Sequence, residues 1–158
     1  MTADAKEWQK EFKPFSTSDK TKNTGAGTIL AVDDQPHNLL LLERMLEQMG
    51  YHVMTARSGQ GALALLERSH DKIQAVLMDI QMVEMDGIET TRRLRDLEKE
   101  NALSPVPVIA VTANAQPQVE KACYAAGMND YILKPFRMEQ LMQVLQILKK
   151  DDGKDEGA

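Results

Sequence analysis

The sequence predicts an α/β fold built on a parallel sheet, and three observations carry that expectation. Short apolar runs alternate five times with longer segments of helical spacing, which is the pattern of βα units rather than of hairpins. Four of the runs end in polar residues: Asp33 and Asp34 after Thr28–Val32, Asp79 after Ile73–Met78, Thr112 after Val106–Val111, and Lys134 after Asp130–Leu133. Prolines and glycines punctuate the alternation at the positions where helices begin and stop. Ligands bind outside the carboxyl ends of the strands in open parallel sheets. Three carboxylates, one hydroxyl and one ammonium are therefore expected to gather at one edge. Such a cluster needs a cation and suits phosphoryl chemistry.

The elements follow in order. After the first strand, Pro36 sits where a first helical turn tolerates proline. Leu39, Leu42, Leu46 and Met49 then mark one helix face, and Gly50 stops it. His52–Ala56 reads as strand 2. The second helix runs from about Gly59 to Ser69, with Ala62, Leu65 and Leu66 inward. Strand 3 leads to a third helix starting near Gly87 and running through Ile88, Leu94 and Leu97, with Arg92, Arg93 and Arg95 expected to face water. Helix 4 spans Pro117 to Ala126, with Val119, Ala122 and Cys123 inward and Gly127 as its stop. Helix 5 runs from Met138 to Lys149, with Leu141, Val144, Leu145 and Leu148 on one stripe.

This organisation gives one domain over residues 28–149, flanked by a polar tail at 1–27 and a charged tail at 150–158. The first tail ends in Asn23-Thr-Gly-Ala-Gly27 and reads as a flexible linker. Trp8 and Phe12 are spaced i, i+4, with Phe15 nearby, so a short docking helix is the competing reading. Apolar residues make up 42% of the 158, enough to fill a core. A net charge of −5 offers no electrostatic footprint for nucleic acid. The single cysteine, Cys123, excludes an internal disulfide and a thiolate metal site. With no run of about 18 apolar residues and no signal-peptide core, the expected setting is cytoplasmic.

The motifs at the strand ends carry a resemblance. Val32-Asp-Asp34, Val76-Leu-Met-Asp79, Met85-Asp-Gly87, Val111-Thr-Ala113 and Leu133-Lys-Pro-Phe136 occur in that order, each at its own strand end or loop. Singly they are weak patterns; together, from about Thr28 to Lys149, they resemble the receiver domain of two-component response regulators, the CheY-like family. Met78-Asp-Ile-Gln-Met82 and Val108-Ile-Ala-Val-Thr-Ala-Asn-Ala115 are most similar to receivers attached to hybrid sensor histidine kinases. The resemblance implies a doubly wound, flavodoxin-like sheet of order 2-1-3-4-5. That order makes strands 1 and 3 neighbours and sets strands 4 and 5 beyond strand 3.

The resemblance also implies a chemistry. Asp79 would be the phosphoacceptor, taking a phosphoryl group from a phosphohistidine on a histidine kinase or a histidine phosphotransfer protein. Asp33, Asp34, Asp79 and the backbone carbonyl of Gln81 would hold Mg²⁺, which prefers oxygen ligands and keeps several waters. Lys134, followed by Pro135 in a cis linkage, would direct its ammonium at the phosphoryl oxygens, and Thr112 would donate its hydroxyl to one of them. Tyr131 matches the family's switch aromatic and would turn inward as Thr112 moves, altering the face formed by helix 4, strand 5 and helix 5. The chain would modify itself and slowly hydrolyse the product, without being a conventional enzyme. One departure stands out: Val83 occupies a loop position that is usually proline, so a more mobile loop is expected.

Each residue also has a plainer reading. Asp33 and Asp34 could cap helix 1, Lys134 could be a solvated loop lysine, and Thr112 an ordinary β-branched strand residue. Tyr131 could be a half-buried strand tyrosine. His37, His52 and His70 share no ligand spacing, and the methionines read as core filling. A haloacid-dehalogenase-type phosphatase would need a second aspartate two positions after the nucleophile, where this chain has Gln81. A flavodoxin-like FMN carrier would need a phosphate cradle after strand 1, where Asp33 and Asp34 would repel phosphate. A pseudo-receiver serving only as a binding module is the third alternative. After helix 5 too few residues follow for an output domain, so the chain is a stand-alone receiver or a piece of a larger protein, with Met1 favouring the first.

Overall fold

The computed structural model describes residues 27–146. Within them run β1 (Thr28–Val32), α1 (Pro36–Gln48), β2 (His52–Ala56), α2 (Gly59–Ser69), β3 (Ile73–Asp79), α3 (Gly87–Glu100), β4 (Val108–Thr112), α4 (Pro117–Ala126) and β5 (Asp130–Leu133), followed by α5 over 138–146. The strands form one sheet in the order β2-β1-β3-β4-β5, all parallel. This is the predicted order. Trp8, Phe12, Phe15, Leu148 and both predicted tails, apart from Gly27, lie outside the described residues.

The near-continuous apolar character of the strands has a simple cause: successive side chains point to opposite faces, and helices cover both. On one face Leu30, Val32, Val76 and Met78 pack with Ala62, Leu66, Leu94 and Cys123 from α2, α3 and α4. On the other Ile29, Ala31, Leu77 and Ile109 pack with Leu39, Leu42 and Leu46 of α1 and Leu141 and Leu145 of α5. Of the helical stripes read from sequence, Leu39, Leu42, Leu46, Ala62, Leu66, Leu94, Cys123, Leu141 and Leu145 are buried, while Met49, Leu65, Ile88, Leu97, Val119, Ala122 and Val144 are half-buried at the edges. Helix α4 ends where Gly127 takes φ +107°, and its N–H bonds back to Tyr124 O at 3.0 Å. A side chain there would be strained and would crowd Arg95.

Two expectations need correction. Strand β4 begins at Val108, not Val106, because the Val106 N–H is drawn away to the Glu98 carboxylate at 2.8 Å. Arg95 does not face water. Its guanidinium donates to Gly127 O, Asn129 Oδ1 and Glu98 Oε1, at 2.7–3.0 Å. Periodicity put Arg95 on the solvent side of α3, but a long side chain can reach past the helix edge to acceptors that only folding supplies. Glu98, 2% exposed, also lies 2.7 Å from His70 Nε2.

Candidate functional site

Sheet geometry assembles the site. Strands β1 and β3 are paired in register with Val32 opposite Met78, so the residues that follow, Asp33 and Asp79, emerge side by side. Asp79 pairs with Val111 across β3 and β4, and the Lys134 N–H donates to Thr112 O at 2.8 Å. One oxygen each from Asp33, Asp34 and Asp79 lies within 4.8 Å of the others. Lys134 Nζ stands 3.2 Å from Asp33 Oδ2 and 3.4 Å from Asp79 Oδ1. Asp33 and Asp79 are each only 4% exposed. The Lys134–Pro135 peptide is cis.

The charges do not balance, since three carboxylates face one ammonium. Burial pushes the Asp79 carboxyl up to about 6 from 3.8, helped by the neighbouring Asp33 charge and opposed by Lys134 and the Gln81 N–H. A crevice of about 310 Å³, lined by Asp34, Asn38, Asp79, Gln81, Val83 and Lys134, opens over these groups. An all-oxygen donor set with excess negative charge and room for water fits a hard divalent cation such as Mg²⁺. When bound, that ion would neutralise phosphoryl oxygens.

The capping reading of Asp33 and Asp34 does not match the helix start. The N-cap of α1 is Gln35, without a side-chain cap bond. Asp33 Oδ1 accepts the Gln35 N–H at 2.9 Å, and Asp34 Oδ2 accepts the Val83 N–H at 3.1 Å. Gly87 holds the other end of that loop close to the strand: its N–H donates to Ile80 O at 2.9 Å. A Cβ on Gly87 would lie 2.3 Å from Asp79 O.

Thr112 is 1% exposed, and its hydroxyl accepts the Asn114 N–H at 3.0 Å rather than turning into the crevice, whose wall there is Ala113. Tyr131 is half-buried, and its hydroxyl donates to the carbonyl of the same Asn114. One peptide-bearing residue therefore links Thr112 to Tyr131. The sequence reading did not single out Asn114, because main-chain contacts leave no residue-type signal. Asn38 was missed too, although its place on the first turn of α1, above the Asp33 and Asp34 pair, could have suggested it. His37 is exposed, whereas His70 belongs to the Glu98 cluster at the opposite end of the sheet.

The family profile of the response regulator receiver domain matches residues 29–146. The chain belongs to that family. This receiver is 38% identical over 130 residues to the sensor histidine kinase GacS of Pseudomonas protegens, a match that takes in 82% of the chain but 14% of GacS. Among solved structures it is similar to the receiver domain of the Pseudomonas aeruginosa sensor histidine kinase PA1611, which carries a magnesium ion in its active-site cleft. The TM-score is 0.69 and the identity 38%, with 77% of this chain and 96% of that one covered. It is also similar to a chain in the Saccharomyces cerevisiae complex of the phosphotransfer protein Ypd1 with the receiver of Ssk1. There the TM-score is 0.70 and the identity 26%, covering 75% of this chain and 85% of the other. The chain is accordingly a receiver domain of the two-component type, and it spans only 14% of the length of GacS. No helix among the described residues is long and apolar enough to cross a membrane.

Proposed function

We propose that Asp79 is the phosphoacceptor of this receiver, in a Mg²⁺-dependent transfer from a phosphohistidine protein. The observation that carries the reading is the pairing of a buried, basic Asp79 carboxylate with Lys134 on one side and Asp33 and Asp34 on the other. Asp33, Asp34, Asp79 and the Gln81 carbonyl would hold the ion. With a carboxyl near 6, Asp79 is largely ionised at neutral pH yet more basic than an exposed aspartate. Its oxygen attacks phosphorus and forms a P–O bond, while the P–N bond to the donor imidazole breaks and its electron pair stays on the ring. Lys134 Nζ, already facing Asp79, neutralises a phosphoryl oxygen.

Thr112 then releases the Asn114 N–H and turns its hydroxyl to the phosphoryl group. Because Tyr131 holds the carbonyl of the same residue, the exchange is transmitted to β5 and to the face it shares with α4 and α5. A histidine kinase or phosphotransfer protein would dock beside the site, where exposed Leu41 borders a groove with Met45, Pro135 and Phe136 that reaches Lys134. Slow hydrolysis of the aspartyl phosphate resets the switch. We take residues 28–149 as the working unit, 1–27 and 150–158 as its tails, and the cytoplasm as its compartment.

Incubation with acetyl phosphate and Mg²⁺ is expected to add one acid-labile phosphate per chain, which Asp79→Asn abolishes. Labelling that survives in Asp79→Asn would move the nucleophile elsewhere. Asp34→Ala is expected to weaken Mg²⁺ binding. Lys134→Ala is expected to keep the ion while uncoupling phosphorylation from the conformational change.

A further inference from the structure

The loop between β3 and α3 carries Val83, whose side chain is 74% exposed and so gains nothing from packing. Its main chain, by contrast, is bonded at both ends. The Val83 N–H donates to Asp34 Oδ2 at 3.1 Å, and the Val83 carbonyl accepts the Met85 N–H at 2.9 Å. The second bond closes a γ-turn around Glu84, which sits at φ +72°. A non-glycine residue at such a φ is strained and persists only where its surroundings hold it. Below the turn Met85 is buried, and Gly87 ties the loop back to Ile80.

We propose that the main-chain N–H of Val83 is a positioning donor for the Asp34 carboxylate, fixing a cation ligand from the β3–α3 loop. A carboxylate oxygen has two lone-pair sites, and Asp34 has two oxygens, so accepting this N–H leaves capacity for an ion. The bond coexists with the clustering of Asp33, Asp34 and Asp79 within 4.8 Å, so it belongs to a ligand-ready arrangement. Ligating carboxylates are commonly oriented by such outer hydrogen bonds. The donor also joins the loop to the carboxylate: one bond ties Asp34, which would hold the ion, to the residue that opens the turn at Glu84. Proline at this position would have no N–H to give. Valine here supplies a donor that proline lacks.

The inference rests on Mg²⁺ binding at Asp33, Asp34 and Asp79, and its test separates the two. Mg²⁺ affinity is measured by calorimetry on the full chain for wild type, Asp34→Ala, Val83→Ala, Val83→Pro and a chain carrying the α-hydroxy analogue of valine at position 83. The last replaces only the amide N–H by an ester oxygen. Val83→Ala keeps the donor and is expected to retain the affinity. Val83→Pro and the ester are expected to weaken it about tenfold. In metal-free protein, the Val83 amide proton of the wild type is expected to be protected from exchange, and Asp34→Ala to expose it. Wild-type affinity in the ester chain, or an unprotected Val83 amide, overturns the inference while leaving the site intact. A wild-type chain that binds no Mg²⁺ overturns both.

Discussion

The receiver buries charge at both ends of its sheet, and the two ends treat it in opposite ways. At the amino ends of the strands the Glu98 carboxylate is met by Arg95 at 2.8 Å, His70 at 2.7 Å and the Val106 N–H at 2.8 Å. Arg95 in turn spans to Gly127 and Asn129, and Asn129 Oδ1 accepts the Val108 N–H. The cluster stitches α3 to the entrances of β4 and β5. At the carboxyl ends, Asp33, Asp34 and Asp79 face one lysine, and Asp79 is driven up to about 6. A closed cluster of charge-assisted bonds holds the fold. An under-neutralised one, with a carboxyl pushed up by burial, has the character of a functional site.

The contrast can be broken most sharply at Glu98. Glu98→Ala leaves the Val106 N–H without its acceptor and the part-buried Arg95 without its anionic partner, and is expected to cost about 3–5 kcal/mol in urea unfolding. The remaining folded fraction should still take up phosphate. Loss of labelling without loss of stability would mean that the amino-end cluster is part of the switch.

The opposite sign is expected at the site. Since Asp79 is raised from 3.8 to about 6, its protonated form favours the fold. That contribution is complete below about pH 3.8 and is lost as pH rises through about 6. Metal-free Asp79→Asn is therefore expected to be more stable than wild type by on the order of 2 kcal/mol at pH 7.5, with the gain vanishing near pH 4. A destabilised Asp79→Asn at pH 7.5 would show that the carboxylate is fully compensated by Lys134.

Mg²⁺ should sharpen the same point more gently. At ten times its dissociation constant it is expected to add about 1.4 kcal/mol to wild-type stability. The increment should be smaller at pH 5 than at pH 8, because protons compete for Asp79, and smaller in Asp34→Ala. The smallest effect on stability is expected for Leu41→Glu, within about 0.5 kcal/mol, as befits an exposed position. That variant should nonetheless slow transfer from a phosphohistidine protein while leaving labelling by acetyl phosphate unchanged. Equal slowing with both donors would place the defect in the site rather than in docking.

The strand ends were legible because each announces itself locally: an apolar run, then Asp, Thr or Lys. The limits of β1, β2 and β5 coincide with those read from sequence, as do those of α2 and α4. Strand β4 was read two residues too early, since Val106 continues the apolar run even though its N–H leaves the sheet for Glu98. Arg95 looked like a solvent-side charge of a helix, and only acceptors far along the chain, Gly127 and Asn129, bring it inward. The bridging role of Asn114 and the Val83 N–H were invisible for another reason. Both act through the peptide group, which every non-proline residue carries alike.

The chain's own residue pattern decided the class of fold, the placement of helices on both faces, and the identity of the groups at the strand ends. Periodicity two in the strands and near 3.6 in the helices is enough for that, because burial of apolar faces is a local property of the pattern. Tertiary structure alone decided that the carboxylates outnumber the cations facing them, that Glu98 meets three donors while Asp79 shares one lysine with Asp33, and that a valine amide reaches Asp34. Electrostatic and hydrogen-bond energies depend on distances between residues remote in sequence, and those distances exist only once the sheet has closed its order.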